Sequence, residues 1–238
     1  MQALHQDSPV TTNFDEAARA AVYRAIFTRR DVRSGFRKDP IPDETLARLL
    51  LAAHHAPSVG FMQPWNFIVI RNPERKAKIR DLVVKARSEE VRCIEEGRQD
   101  LYRSLKLEGI LEAPVNLCVT CDRTRAENTP LGRSHNREMD LYSTVCAVQN
   151  LWLAARVEGI GMGWVSIFDS AELKSLLGIP AQVDLIAYLC LGYVADFASK
   201  PELESKGWRQ RLQLADLIAS ESWVGDGEDG LRKLIARV

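Results

Sequence analysis

Three arginines lie within five residues of one another near the start of the chain and flank a single acid. The segment reads Arg-Arg-Asp-Val-Arg-Ser-Gly-Phe and runs from Arg29 to Phe36. A guanidinium is a rigid fork of donors that suits phosphate and planar polar rings. A cluster this tight repels itself unless an anion lies among its members, so it indicates a bound phosphate with Asp31 inside the positive field. The open alternative is a solvated basic turn in which Asp31 caps or pairs locally.

A second candidate segment is a rigid loop between a predicted helix and a predicted strand. It reads Ala-Pro-Ser-Val-Gly-Phe-Met-Gln-Pro-Trp-Asn-Phe and runs from Ala56 to Phe67. Its two prolines restrict the backbone, its glycine permits a tight turn, and Ser58 places a polar group beside Pro57. Such loops often carry function, although the segment alone is equally well a turn with core aromatics.

The third segment, Gly-Ile-Gly-Met-Gly from Gly159 to Gly163, is followed by Trp164, Val165 and Ser166. A dinucleotide fingerprint needs a strand, then the glycines, then a helix. Here a long predicted helix comes first and a strand follows, so we reject that interpretation. We expect the glycines to let the backbone turn sharply and pass close to a flat group. The alternative is a plain helix C-cap and turn.

Two further features receive weaker interpretations. Arg211 precedes a short amphipathic stretch and could reach the anion implied by the N-terminal arginines, although a surface arginine is the commoner explanation. The five cysteines are an odd number in a long chain, which argues against a disulfide framework. Cys118 and Cys121 form a CxxC within a predicted buried strand, so we predict neither a metal site nor a redox role there.

Composition sets the class of protein. The 238 residues carry 32 basic and 32 acidic side chains, 46% hydrophobic and 27% charged residues. Zero formal net charge argues against nucleic-acid or membrane-surface partners. No apolar run approaches the ~20 residues of a membrane span, and the polar N-terminus lacks a signal core, so we expect a cytoplasmic protein.

Periodicity predicts an α+β fold in which helices pack on a sheet. The predicted helices are 15–28, one from about 43 that ends before Pro57, 74–84 and 138–158, and the predicted strands are 66–71, 115–121, 163–168 and 185–194. We predict a single domain over 1–238 with a flexible N-terminus at about 1–14. The charged stretch at about 85–112 is either a mobile lid or a solvated helical hairpin.

Taken in order, these segments resemble the flavin-dependent nitroreductase superfamily over roughly residues 23–218. Arg-Arg-Asp-Val-Arg-Ser-Gly-Phe together with Gly-Met-Gly-Trp-Val-Ser is similar, more specifically, to the 5,6-dimethylbenzimidazole synthases, which make the lower ligand of vitamin B12. The resemblance implies a nitroreductase-like fold with a mixed central sheet flanked by helices and FMN at a homodimer interface. Phe61 and Met62 replace a polar pair common in nitroreductases, which weakens a generic nitroreductase activity more than the synthase activity.

The resemblance also assigns roles by position. Asp31 and Ser166 match two residues that the family places beside the flavin, and they are the catalytic candidates. The flanking arginines are expected to keep the Asp31 carboxyl ionised by lowering its pKa. The expected FMN-binding residues are Arg29, Arg30, Asp31, Val32, Arg33, Pro57, Ser58, Trp164, Val165, Ser166 and Arg211.

The implied reaction is the oxygen-dependent fragmentation of reduced FMN to 5,6-dimethylbenzimidazole and erythrose 4-phosphate. FMN is then a substrate together with O2, and NAD(P)H acts only indirectly, through a separate flavin reductase. One alternative is an FMN-dependent NAD(P)H nitroreductase or quinone reductase that keeps its flavin. A second alternative is a flavin carrier or sensor without catalysis.

Overall fold

The computed structural model describes residues 13–125, 131–223 and 229–235. The chain divides between Ser199 and Lys200 into two compact units. The predicted single domain stays a prediction, and residues 1–12 of the predicted flexible N-terminus lie outside the described residues. No described helix has the length and apolar character that crossing a membrane requires.

The helices and strands of the first unit alternate irregularly along the chain. They are α1 (Glu16–Thr28), α2 (Asp43–His54), β1 (Trp65–Ile70), α3 (Pro73–Glu90), α4 (Gln99–Ser104), β2 (Val115–Asp122), α5 (Met139–Val157), β3 (Ile160–Val165), α6 (Ser170–Leu177) and β4 (Val183–Tyr193). Local chemistry explains several starts: the side chains of Asp15, Asn72 and Asp169 accept backbone N–H groups in the first turns of α1, α3 and α6.

The four strands form one sheet in the order β1-β2-β4-β3, and all three pairings are antiparallel. The expectation of a mixed sheet is therefore wrong for the described strands. A parallel contact does exist, but it is an isolated bridge between Asp31 and Met162. After Asp31 the arginine segment turns away from β3, and its next bridge joins Phe36 to Val194, just past β4. The α+β class is confirmed.

The sheet separates two apolar cores, which is the layered arrangement that buries both faces of a sheet. On one face, Leu151 and Ala155 of α5 pack with Leu117 of β2 and its neighbours. On the other face, Ile79 of α3 and Leu173 of α6 pack against the sheet. Asp31 lies beside β3, the edge strand that directly follows α5.

The predicted elements are present, with differences at positions that matter below. Strand β3 begins at Ile160 and ends at Val165, so it starts three residues before the predicted strand and leaves Ser166 outside. Val145 of α5 is 41% exposed, because the buried stripe of that helix runs through Thr144, Val148 and Leu151. The second unit contains α7 (Glu202–Ser205) and α8 (Asp229–Ile235).

Candidate active site

The junction between α5 and β3 gives the candidate site its shape. Gly159 follows α5 with φ of 73°, a left-handed conformation that favours glycine. Its N–H donates to the carbonyl oxygen of Arg156 at 3.3 Å, which closes the helix. The predicted helix end is thus confirmed, and the chain continues directly into β3, whose outer edge faces the arginine segment.

Two glycines within β3 admit another stretch of backbone. A Cβ atom on Gly163 would lie 2.1 Å from the carbonyl oxygen of Val32, and one on Gly161 would lie 3.1 Å from the Val32 side chain. The Val32 N–H donates to the Met162 carbonyl oxygen at 3.0 Å. The group that approaches these glycines closely is therefore a segment of the chain itself, and this contact brings Asp31 to the edge of β3.

Asp31 is held by contacts on both of its carboxyl oxygens. The backbone N–H of Trp164 donates to Oδ1 at 3.1 Å, and the Arg33 guanidinium donates to Oδ2 in a close ion pair. The Asp31 side chain is 29% exposed and that of Arg33 is 12% exposed. The carboxylate is therefore fixed in orientation while one side stays accessible.

The structure corrects the predicted electrostatics of Asp31. Its pKa is raised above the ordinary value of 3.8, because burial disfavours the charged form more than the neighbours stabilise it. Arg33, the Trp164 N–H and Arg29 each lower the pKa, as expected, but their sum is smaller than the effect of burial. The sequence predicts correctly that the arginines lower the pKa of Asp31, but it does not reveal how deeply the carboxyl is buried.

The other two arginines of the cluster are fixed in different ways. The Arg29 guanidinium lies 4.5 Å from the centroid of the Trp152 ring. Arg30 donates from its terminal nitrogens to the carbonyl oxygens of Phe27, Arg29 and Ser199. Among the described residues, the buried Nε–H groups of Arg30 and Arg33 have no hydrogen-bond partner. Buried donors without a partner suit a ligand that carries acceptor oxygens, such as a nucleotide phosphate.

The predicted Trp-Val-Ser stretch lies at the end of β3. Trp164 is partly exposed, Val165 is buried in the second core and Ser166 is exposed just after the strand. The Trp164 ring lies 6.3 Å from that of Trp152. The aromatic pair and the Asp31 carboxyl therefore meet at one edge of the sheet, with Ser166 two residues beyond.

Pro57 and Ser58 are placed near the opposite end of α5. Pro57 is exposed, and the Ser58 hydroxyl accepts the backbone N–H of Gln63 at 3.1 Å. The next residue, Val59, donates its N–H to the Ser143 hydroxyl, in the first turns of α5. Ser143 and Trp152 are nine positions apart on one helix, a rise of roughly 13 Å. The hydrogen bonds described for this loop therefore lie near the start of α5, at the other end of that helix from Trp152 and the arginine turn.

Arg211 belongs to the second unit, where it lines a cavity of about 550 Å³ with Arg209 and several leucines. Its predicted role at the phosphate stays a prediction.

The charged stretch at about 85–112 is partly helical and is held together by contacts within it. Arg87 on α3 donates to the carbonyl oxygens of Tyr102, Arg103 and Leu105, and its guanidinium lies over the Tyr102 ring. A Cβ atom on Gly109 would lie 2.9 Å from the carbonyl oxygen of Arg33. One end of this stretch thus packs directly on the arginine segment, and its role as a lid stays a prediction.

The CxxC cysteines lie in β2, as predicted. Burial raises the pKa of the Cys118 thiol to about 12 and that of Cys121 to about 11, so both thiols stay protonated at neutral pH.

Trp152 and Arg156 contribute to the site, and we did not predict either role from the sequence. Trp152 Nε1 donates to the Arg30 carbonyl oxygen at 3.2 Å. Arg156, one turn further along α5, donates from Nε to the carbonyl and hydroxyl oxygens of Thr28. The four-residue spacing on a helix that precedes the glycines was the available signal, since such residues share one face.

Comparison with known proteins places the chain in a family. The Nitroreductase family model matches residues 26–193. An iodotyrosine deiodinase crystallised with FMN and 3-iodo-L-tyrosine superposes with a TM-score of 0.64 at 24% identity, covering 80% of this chain and 96% of the other. The chain belongs to the nitroreductase family.

Within that family, the sequence groups with the 5,6-dimethylbenzimidazole synthases. The Rhodospirillum rubrum protein of that name is 43% identical over 198 residues, which cover 83% of this chain and 93% of the relative. A 5,6-dimethylbenzimidazole synthase of Rhodobacter capsulatus is 36% identical over 84% of this chain and 96% of its own length. The resemblance predicted from the sequence is confirmed.

Proposed function

We propose that the chain is a 5,6-dimethylbenzimidazole synthase, an oxidoreductase that fragments reduced FMN with O2 to 5,6-dimethylbenzimidazole and erythrose 4-phosphate. The two relatives of that name support this assignment over most of both chains. The structural observation that carries it is the half-buried Asp31 carboxyl, fixed between Arg33 and the Trp164 N–H inside a basic turn. A nitroreductase that only passes electrons through its flavin has no evident need for such a carboxyl.

The residues present suit FMN. Arg29, Arg30 and Arg33 supply guanidinium groups for the phosphate and the polar edge of the ring. The Nε–H groups of Arg30 and Arg33, which have no partner among the described residues, are further donors in this segment. We propose that the other residues that bind FMN are Asp31, Val32, Pro57, Ser58, Trp164, Val165, Ser166 and Arg211. When bound and reduced, FMN supplies the electrons that react with O2 and the ring that is cut.

Asp31 and Ser166 are the proposed catalytic residues. Fragmentation of the ring and its side chain requires several proton transfers, and a positioned carboxyl typically contributes ~10²–10⁴-fold to such a step. A raised pKa makes the Asp31 carboxyl a stronger base than an exposed aspartate. Ser166, exposed at the end of β3, supplies a hydroxyl that orients the reacting edge.

Several wider features belong to the same proposal. We place FMN at a homodimer interface, because Pro57 and Ser58 lie near the other end of α5 from the arginine turn. The stretch at about 85–112 covers the pocket, limits the entry of nicotinamide nucleotides and leaves reduction of FMN to a separate flavin reductase. The location is cytoplasmic.

One assay separates this function from the alternatives. The purified chain is mixed with excess reduced FMN and air, and flavin absorbance is followed while products are separated by chromatography. The synthase bleaches the flavin permanently and releases 5,6-dimethylbenzimidazole. Return of the full yellow colour without that product contradicts the proposal. Oxidation of added NAD(P)H would identify a reductase, and binding without either reaction would identify a carrier.

A further inference from the structure

We propose that Trp152 is a positioning residue that aims the Arg29 guanidinium at the FMN phosphate, an inference that rests on the proposed FMN site. Trp152 is 8% exposed and lies near the C-terminal end of α5. Its indole makes two contacts with the turn after α1. Nε1 donates to the Arg30 carbonyl oxygen at 3.2 Å, and the ring lies 4.5 Å from the Arg29 guanidinium carbon.

The two contacts act on different parts of the turn. The hydrogen bond holds the backbone of Arg30, which is the residue between Arg29 and Asp31. The ring face holds the side chain of Arg29, because a guanidinium is attracted to the face of an indole more strongly than to a phenyl ring. A free arginine side chain samples many rotamers, and a buried planar surface beneath it restricts them before the ligand arrives.

A second contact from α5 shows that backbone anchoring does not depend on Trp152 alone. Arg156 Nε donates to the carbonyl oxygen of Thr28 at 3.3 Å and to its hydroxyl at 3.1 Å. The end of α1 is thus held at two places by residues one helical turn apart. Loss of the Trp152 indole should therefore leave the turn in place and remove the planar surface that lies beneath the Arg29 guanidinium.

The alternative role for Trp152 is core packing, since its ring also belongs to the α5 face of the apolar core. The two roles differ in ligand specificity. FMN carries a phosphate and riboflavin does not, so a residue that aims an arginine at the phosphate affects FMN alone. A packing residue affects both flavins through stability.

The test measures dissociation constants of oxidised FMN and riboflavin by titration calorimetry. Trp152→Leu should weaken FMN binding about tenfold, or about 1.4 kcal/mol, while riboflavin binding changes less than about twofold. Trp152→Phe should fall in between, because a phenyl ring keeps a face but lacks the N–H. Trp65→Phe is the matched control: Trp65 is also buried, at 4% exposed, and its Nε1 donates at 3.2 Å to His54 instead.

A double-mutant comparison identifies the residue through which Trp152 acts. In an Arg29→Met background, Trp152→Phe should change the preference for FMN over riboflavin by less than about twofold. Equal weakening of both flavins by the Trp152 variants, or an undiminished effect in that background, overturns the inference. If the wild-type chain binds both flavins equally, the phosphate is not recognised. That result overturns the proposed phosphate site and the inference that rests on it. If Trp152→Leu does not fold, the Phe variant and the double mutant still decide.

Discussion

At Asp31, burial and a neighbouring cation act on the same carboxyl in opposite directions. Burial raises its pKa, while Arg33 and, more weakly, Arg29 lower it, and burial prevails. The carboxyl is therefore more basic than an exposed aspartate yet keeps its orientation through the Trp164 N–H. That combination suits proton transfer to and from a bound ring better than an acid held fully ionised.

A pH profile tests this balance. A carboxyl with a raised pKa gains its proton at a higher pH, so product formation at saturating reduced FMN should fall on the acid side above the ordinary value of 3.8. Arg33→Met removes a cation that lowers the pKa and should move this acid limb to still higher pH. Arg37→Met, which removes the partner of the exposed Asp39, should leave the limb unchanged. If Arg33→Met leaves the acid limb in place, the limb reports the titration of a group other than Asp31.

At the scale of single elements, β3 works as the platform for the arginine segment. Its glycines are unfavourable in a strand by themselves, yet Gly163 is required where the Val32 carbonyl approaches. Glycine lowers the strand preference of β3, but it allows the close contact with Val32 that positions Asp31.

Gly163→Ala should separate that contact from general stability. The added Cβ would lie 2.1 Å from a backbone oxygen that has no flexible end to move. We expect a loss of roughly 1–3 kcal/mol in the free energy of unfolding, measured by urea denaturation, together with weaker FMN binding. Gly97→Ala is the control, since a Cβ there meets no atom within 4 Å. Equal stability of the two variants would show that Val32 does not pack on β3 as described.

The same elements show how far the sequence alone reaches. Elements with local signals are predicted well: α1 begins at Glu16, one residue after its predicted start, and Gly159 closes α5. The start of β3 at Ile160 is missed, because its glycines are explained by Val32, far away in the chain. Helix α6 is missed although Asp169 caps it.

The candidate site shows the same division. The arginine segment and the glycines of β3 are both singled out from the sequence, and the structure shows that they pack against each other. The net sign of the Asp31 pKa shift is missed, since it depends on burial in the folded chain. The contribution of Trp152 to the arginine turn is missed because a tryptophan in an apolar helix first indicates core packing.

At the scale of the whole molecule, exposed apolar surface supports the proposed homodimer. The first unit exposes Tyr23 and Phe27 on α1, and Tyr142 and Val145 on α5, all more than a third exposed. Exposed large apolar side chains on two helices are candidates for an association site. Pairing through α5 would bring the Pro57–Ser58 loop of one protomer towards the flavin of its partner.

Val145→Glu tests this assembly. A charge in a buried apolar interface is costly, so the variant should sediment as a monomer and bind FMN at least about tenfold more weakly. Val84→Glu makes the same change at a valine of similar exposure on α3, and it should remain dimeric. A dimer that survives Val145→Glu unchanged would place the interface elsewhere.

The account depends most on the carboxyl of Asp31, and one comparison tests it directly. Asp31→Asn and Asp39→Asn each remove one carboxylate from an Arg–Asp pair two residues apart, but Asp39 is exposed and paired with Arg37. Supplied with reduced FMN and air, Asp39→Asn should form 5,6-dimethylbenzimidazole at the wild-type rate. Asp31→Asn should still bind FMN but lose product formation by ~10²-fold or more. Near-normal product from Asp31→Asn would contradict the central claim.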